Sequence, residues 1–334
     1  MKPPRANATG LGLLLVVAVV VVTASCQKPL HEKSERYVFV TANVNLPYWQ
    51  EAHAGFKDAA HTIGVKADFT GPGAYSPEEE LKAFQDAVTA RPAGILVSPT
   101  RAKLFQDAID SAVRAGIPVV CVDSDSPESR RILFIGTDNY RAGVESAHRM
   151  ANLLHGSGRI LLITILAQFN LNERLRGVLE TFGQQPIEIT EVIDDEGDPS
   201  KAEAQVAAIL DRKEKIDGIL CLEASGGTGA AKVLQRLALS GKIPIVAMDK
   251  DPDTLDWIKK GVVSATVAQK PYAMSYYGLK FLDDLHHNIV HQFSDWRTAP
   301  ASPLPTWVDT GTAVVDKDNV EAFQSALVAE RQLR

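Results

Sequence analysis

The chain has 334 residues, long for one domain and natural for two, and its 45% apolar content leaves room for two sizeable cores. Its net charge is −6 with Lys and Arg scattered along the chain, which excludes the clustered basic face that a nucleic-acid surface needs. Three cysteines are too few for a disulfide framework; Cys121 and Cys221 each sit in an apolar run and are expected to be buried and inert.

Lys2 and Arg5 precede an apolar run from Leu11 to Val22, which ends at Thr23-Ala24-Ser25-Cys26. That run is too short to span about 30 Å of hydrocarbon but suits the core of a signal peptide. The small residues before Cys26 resemble a bacterial lipoprotein box. The resemblance implies a signal peptide over residues 1–26, acylation of Cys26, and a lipid anchor to the membrane. The mature protein would then sit in the periplasm or on the outer face of the cytoplasmic membrane. Residues 27–36 are polar and charged without apolar period, as in a tether.

From Arg36 the chain alternates apolar runs with helical stripes. Arg36–Asn43 predicts a strand, a helix starts near Pro47, and Val65–Thr70 is the second strand. Ser76-Pro77-Glu78-Glu79 has the pattern of a helix start, with Ser as cap and Pro at the first helical position. Ala93–Val97, Lys103–Ala115 and Pro118–Val122 continue as strand, helix and strand. Ile132–Ile135 is a short strand before a helix to His155. A second series then begins: strands at Arg159–Ile165, Ile187–Ile193, Ile216–Leu222, Ile243–Ala247 and Val263–Ala268, with helices at Asn172–Phe182, Ser200–Asp211, Gly227–Leu239 and Thr254–Lys260. Pro271–Val290 is a long helix. The loop 298–305, short strands near 307–309 and 313–315, and a helix from Asp318 end the chain.

The two series are internal repeats. Gly116-Ile-Pro-Val-Val-Cys-Val-Asp123 and Gly241-Lys-Ile-Pro-Ile-Val-Ala-Met-Asp249 share one design, a buried strand that breaks off at a carboxylate. Ala93-Gly-Ile-Leu-Val and Asp217-Gly-Ile-Leu-Cys match likewise. Repeated βα units predict an α/β fold of two doubly wound, parallel-sheet lobes. Ligands in such sheets bind beyond the carboxyl ends of the strands. Asn43, Ser98 and Asp123 from one lobe and Gln168, Glu223 and Asp249 from the other would therefore line a cleft for a small polar ligand.

Tyr37-Val-Phe-Val-Thr-Ala-Asn with Asn45-Leu-Pro-Tyr-Trp, Gly94-Ile-Leu-Val-Ser-Pro, Ile135-Gly-Thr-Asp-Asn, Asn172-Glu-Arg174-Leu-Arg-Gly and Ala265-Thr-Val-Ala-Gln269-Lys-Pro follow one another in an order that resembles the ribose- and galactose-type periplasmic binding proteins of ABC transporters. The resemblance implies a three-stranded hinge, with crossovers near 136–138, 269–271 and 305–309. The first lobe would be 37–137 plus 270–306, and the second 138–269 plus 307–334. It also implies that Tyr48 and Trp49 stack on a sugar ring and that Asp123, Asp249 and Gln269 take its hydroxyls. Asn172 and Arg174 would contribute from the second lobe. Ser124, Glu223 and Leu46 depart from the ribose pattern, and Asp195-Glu-Gly-Asp-Pro offers no second-lobe aromatic. A sugar or polyol is therefore expected, and ribose itself is not implied.

Three other motifs weigh less. Gly226-Gly-Thr-Gly229 after a strand suggests a dinucleotide fingerprint and an oxidoreductase, but the third glycine is absent and the unit is not the first. Asp249, Asp251 and Asp253 suggest a calcium loop, but Thr254 and Lys260 stand where Gly and Glu are needed; Asp251-Pro252 reads better as a helix cap. His287 and His291 lack the Glu of a zinc motif and read as a solvated face. The expectation is a monomeric, non-enzymatic, lipid-anchored binding protein without metal or cofactor, serving ABC permease subunits. The alternative is a receptor of the same fold serving a sensor kinase or chemoreceptor.

Overall fold

In the computed structural model, residues 31–332 are described apart from 33, 288–301 and 303. Cys26, the apolar leader, His291 and most of the loop 298–305 lie outside the described residues.

The first series forms β1 (Arg36–Val40), α1 (Pro47–Ile63), β2 (Lys66–Thr70), α2 (Pro77–Thr89), β3 (Gly94–Val97), α3 (Ala102–Arg114), β4 (Val119–Val122) and β5 (Leu133–Gly136). The second forms α4 (Asn139–Leu153), β6 (Gly158–Thr164), α5 (Phe169–Phe182), β7 (Ile187–Asp194), α6 (Pro199–Asp211), β8 (Gly218–Cys221), α7 (Ala224–Arg236), β9 (Ile245–Met248), α8 (Pro252–Lys259) and β10 (Ala265–Ala268). Then follow α9 (Pro271–His286), β11 (Trp307–Asp309), β12 (Ala313–Asp316) and α10 (Val320–Gln332).

Two six-stranded sheets result, ordered β2-β1-β3-β4-β5-β11 and β7-β6-β8-β9-β10-β12. Pairing is parallel throughout, except that β12 runs antiparallel to β10. β3, β4, β8, β9 and β10 are buried at every residue, because helices cover both faces of a parallel sheet and leave no wet side. Cys121 and Cys221 lie in two of these strands and are buried. Each sheet has two apolar layers. Phe39, Phe56, Leu96 and Leu282 pack under α1 and α9, and Phe84, Phe105 and Ile109 under α2 and α3. In the second lobe Met150, Leu162 and Val178 fill the layer under α4 and α5, while Val206, Ile219 and Leu234 fill the opposite one.

The helix starts follow their caps. Ser76 accepts the Glu79 N–H, Asp138 the Arg141 N–H and Asp198 the Ser200 N–H. Asp251 holds the cap position of α8 with Pro252 behind it, without a side-chain cap bond. α5 starts at Phe169 and α7 at Ala224, each three residues earlier than the apolar pattern suggests.

Three crossovers join the lobes, at 137–138, 269–270 and 310–312. The third corrects the expected division at 307. β11 pairs parallel with β5 and extends the first sheet, so only the residues after Asp309 reach the second. The crossovers are tied together: Thr310 donates its N–H and its hydroxyl to Gly136 O, and the Asp138 N–H donates to Asp309 Oδ1.

Candidate ligand-binding cleft

Asp123 and Asp249 leave β4 and β9 in the same way. Both have left-handed backbone, φ 63° and 70°, and both donate their N–H to the neighbouring strand, to Ile135 O at 3.1 Å and Val267 O at 2.9 Å. That conformation costs a non-glycine residue on the order of 1–3 kcal/mol, and such strain gathers at functional sites. Here it brings each carboxylate to the wall of one cavity between the lobes, of about 70 Å³.

Tyr48, Trp49 and Leu46 form the first-lobe wall with Asp123. Pro47 starts α1, so the two aromatics occupy its first turn, above the strand ends. Tyr48 donates its hydroxyl to Asp123 Oδ1 at 2.6 Å. Trp49 stands edge-on to Tyr48 at 5.0 Å and to Phe39 at 6.2 Å, so it is both core and cavity wall.

The second lobe supplies Asn170, Arg174, Glu223, Asp249 and Gln269. Arg174 is 2% exposed, and each of its three guanidinium nitrogens has a partner. Its Nε donates to Asn139 Oδ1 at 2.8 Å, one terminal nitrogen to Leu222 O and the other to Gln269 Oε1, both at 2.7 Å. It gets this deep because α4 and α5 touch backbone to backbone. A Cβ on Gly143 would sit 2.0 Å from the Arg174 carbonyl oxygen, and one on Gly177 2.2 Å from that of Tyr140. Gln269 then links three groups. Its Nε2 donates to Asp249 at 3.0 Å, and its Oε1 accepts from Arg174 and, at 2.7 Å, from the Thr137 hydroxyl in the neighbouring crossover. Lys250 adds a bridge between lobes, 2.8 Å from Glu51 in α1 and 2.8 Å from Gln269 O.

Burial raises the proton affinity of both aspartates, and the Arg174 charge opposes it. For Asp249 the balance is a pKa of about 6. Glu223 spends much of its charge locally, accepting the N–H groups of Ser225 and Gly226 at the start of α7. Behind it lies Asp195, fully buried. Burial raises the proton affinity of both carboxyls, and at Asp195 the Glu223 charge raises it further, so the pair retains a proton.

The expected site residues therefore divide. Tyr48, Trp49, Asp123, Arg174, Glu223, Asp249 and Gln269 meet at one cavity, joined by Gln168. Ser98 is fully buried beside the Asp123 carboxylate. Asn43 turns into its own loop, accepting the Asn45 N–H at 2.9 Å. Asn172 is exposed. The residue in its place is Asn170, whose Nδ2 crosses the cleft to Asp123 Oδ2 at 3.1 Å. Helical spacing carries that signal: 170 and 174 are one turn apart on one face, and 172 is on the other side.

The glycines 226–229 do not form a phosphate cradle. They lie inside α7, and Gly227 and Gly229 let it press on Ala247 and Ala202, where a Cβ would come within 2.7 and 2.6 Å. The helix start they would offer to a phosphate is already capped by a carboxylate.

A model of the periplasmic binding protein domain matches residues 37–287. The sugar-binding protein of a sugar ABC transporter from Bacillus halodurans is 35% identical, with a TM-score of 0.75, over 86% of this chain and 99% of its own. AraP, an arabinose binding protein from Geobacillus stearothermophilus, is 34% identical with a TM-score of 0.72, over 87% and 99%. The D-allose-binding periplasmic protein of Escherichia coli K12 is 26% identical over 74% of this chain and 83% of its own. With two such lobes around a polar cavity, the chain belongs to the periplasmic binding protein domain family, among the sugar-binding proteins of ABC transporters.

Proposed function

We propose that this protein captures a neutral sugar or polyol between its lobes and hands it to an ABC permease from a lipid anchor at Cys26. The observation that carries the reading is one cavity walled by two aromatic rings and two strained, buried aspartates. Aromatic faces match the C–H faces of a sugar ring, while carboxylates and amides match its hydroxyls. These polar groups bond one another, Asp123 to Tyr48 and Asn170, Asp249 to Gln269. A cavity of about 70 Å³ admits a few waters, so the lobes part about the three crossovers to admit the ligand and close on it.

The test is thermal stabilisation of the full chain by pentoses, hexoses and polyols, arabinose and allose included, followed by calorimetry. A ligand at 100 times its Kd should stabilise by about 2.7 kcal/mol. If no sugar or polyol stabilises the chain, the ligand class is wrong. Cys26→Ala should release soluble protein or leave uncleaved precursor; a wholly soluble wild type overturns the anchor.

A further inference from the structure

A second cluster of titratable groups lies on the first lobe, at the amino end of β1 and away from the cleft. Glu35 immediately precedes β1, so the length of that strand, roughly 17 Å at 3.3 Å per residue, separates it from the ligand site. Asp283 and His287 stand one turn apart at the end of α9, and His31 and Glu35 have the same spacing in the segment that enters the first strand. One ligand-capable atom from each of the four lies within 4.8 Å of the other three.

The geometry is specific. His31 Nε2 is 3.0 Å from Asp283 Oδ1, and His287 Nε2 is 3.0 Å from Glu35 Oε1 and 3.5 Å from Asp283 Oδ1. Both imidazoles present the same nitrogen inward, with their rings crossed edge-on at 4.8 Å. Glu35 and Asp283 are 8% and 5% exposed, and among the described residues their ion-pair partners are these two histidines. Two carboxylates this far out of water are unfavourable unless positive charge sits beside them. Tyr37 lies behind, its hydroxyl 2.8 Å from Glu35 Oε1 and 3.0 Å from Asp283 Oδ1. One hydroxyl proton cannot serve both carboxylates, but it suits an outer partner that orients a metal-ligating oxygen. His287 is thus not on a solvated face; it is half-buried in this cluster.

We propose that His31, Glu35, Asp283 and His287 form a four-coordinate site for a divalent transition-metal ion, Zn²⁺ foremost. Two imidazole nitrogens and two carboxylate oxygens suit that class, whereas Ca²⁺ and Mg²⁺ want more oxygen ligands. Bonds of about 2.0–2.2 Å put tetrahedral ligands about 3.3–3.6 Å apart, and the present separations bracket that spacing. Four protein ligands leave no open position, so the ion is structural. It pins the segment leading into β1 to the end of α9 and touches the first lobe alone, leaving closure free.

The full chain, purified in detergent and stripped with EDTA, is titrated with ZnSO₄ by calorimetry and with Co²⁺ by visible absorbance. One Zn²⁺ per chain, strong tetrahedral Co²⁺ bands, and no comparable binding of Ca²⁺ or Mg²⁺ are expected. His31→Gln and His287→Gln should each weaken Zn²⁺ binding at least about 100-fold. His31 stands ahead of the first strand, so its variant tests the site without disturbing the sheet. Zn²⁺ uptake well below one per chain, weak octahedral Co²⁺ bands, or an affinity unchanged in both variants would overturn the proposal.

Discussion

The two lobes carry the same aspartate on the same strand end, and the two carboxylates are held differently. Asp123 bonds across the cleft to Asn170, so part of its environment exists only while the lobes are together. Asp249 is held by Gln269, the first residue of the second crossover at the root of its own lobe, so this bond does not depend on the far wall of the cleft. Repetition of a fold fixes where a carboxylate stands, and the surrounding side chains decide whether it is a fixed anchor or a latch. The expected roles follow: Asp249 as the anchor, ready for a ligand in the open form, and Asp123 completing its bonds on closure.

The sharpest way to break that comparison is Asp249→Ala. Loss of hydrogen bonds to a desolvated charge, about 1.5–3 kcal/mol each, should weaken sugar affinity by on the order of 10²–10⁴-fold by calorimetry. A change within threefold would remove Asp249 from the site. Next comes Arg174→Met. It takes a donor from each of Asn139 Oδ1, Leu222 O and Gln269 Oε1 and removes the positive charge facing both aspartates. Breaking so buried a charge network should cost about 3–5 kcal/mol in denaturant unfolding, where Asp253→Ala, an exposed control, should change nothing.

The third concerns pH. With a pKa of about 6, Asp249 protonates below pH 6 and loses an acceptor, so affinity at pH 5 should be about tenfold weaker than at pH 7. The same group acts on stability with the opposite sign. Its native pKa exceeds the unfolded value of about 3.9, so its contribution is complete below that value and is lost as pH rises through 6. Parallel loss of affinity and stability between pH 6 and 5 would contradict this. The smallest effect separates two neighbours: Asn170→Ala should weaken binding by up to about tenfold and expand the empty protein in small-angle scattering. Asn172→Ala should do neither.

Much of this was legible in the sequence, and the misses have causes. The repeats, the strand-end aspartates and the aromatic turn follow from apolar runs and their breaks, which local chemistry writes plainly. Asn170 was missed because α5 starts at Phe169 and not at Asn172, so residue 170 fell outside the expected helix and its one-turn spacing from Arg174 was not read. The place of β11 in the first sheet was missed because three residues carry no pattern that favours one sheet edge over another. The cluster of His31, Glu35, Asp283 and His287 joins residues more than 240 positions apart, and no spacing rule reaches that far.

The bridge from Lys250 to Glu51 spans the lobes beside a crossover and is mostly shielded from solvent on the lysine side. It forms only while the lobes are together, so it lowers the free energy of the closed form with or without a ligand. A ligand gripped only in the closed form must draw the protein into that form, so apparent affinity scales with the fraction already closed. If one in ten ligand-free molecules were closed, the measured Kd would be about tenfold weaker than that of the closed form itself. The strength of this ion pair therefore tunes the sugar concentration at which the protein becomes half occupied, without any contact to the sugar.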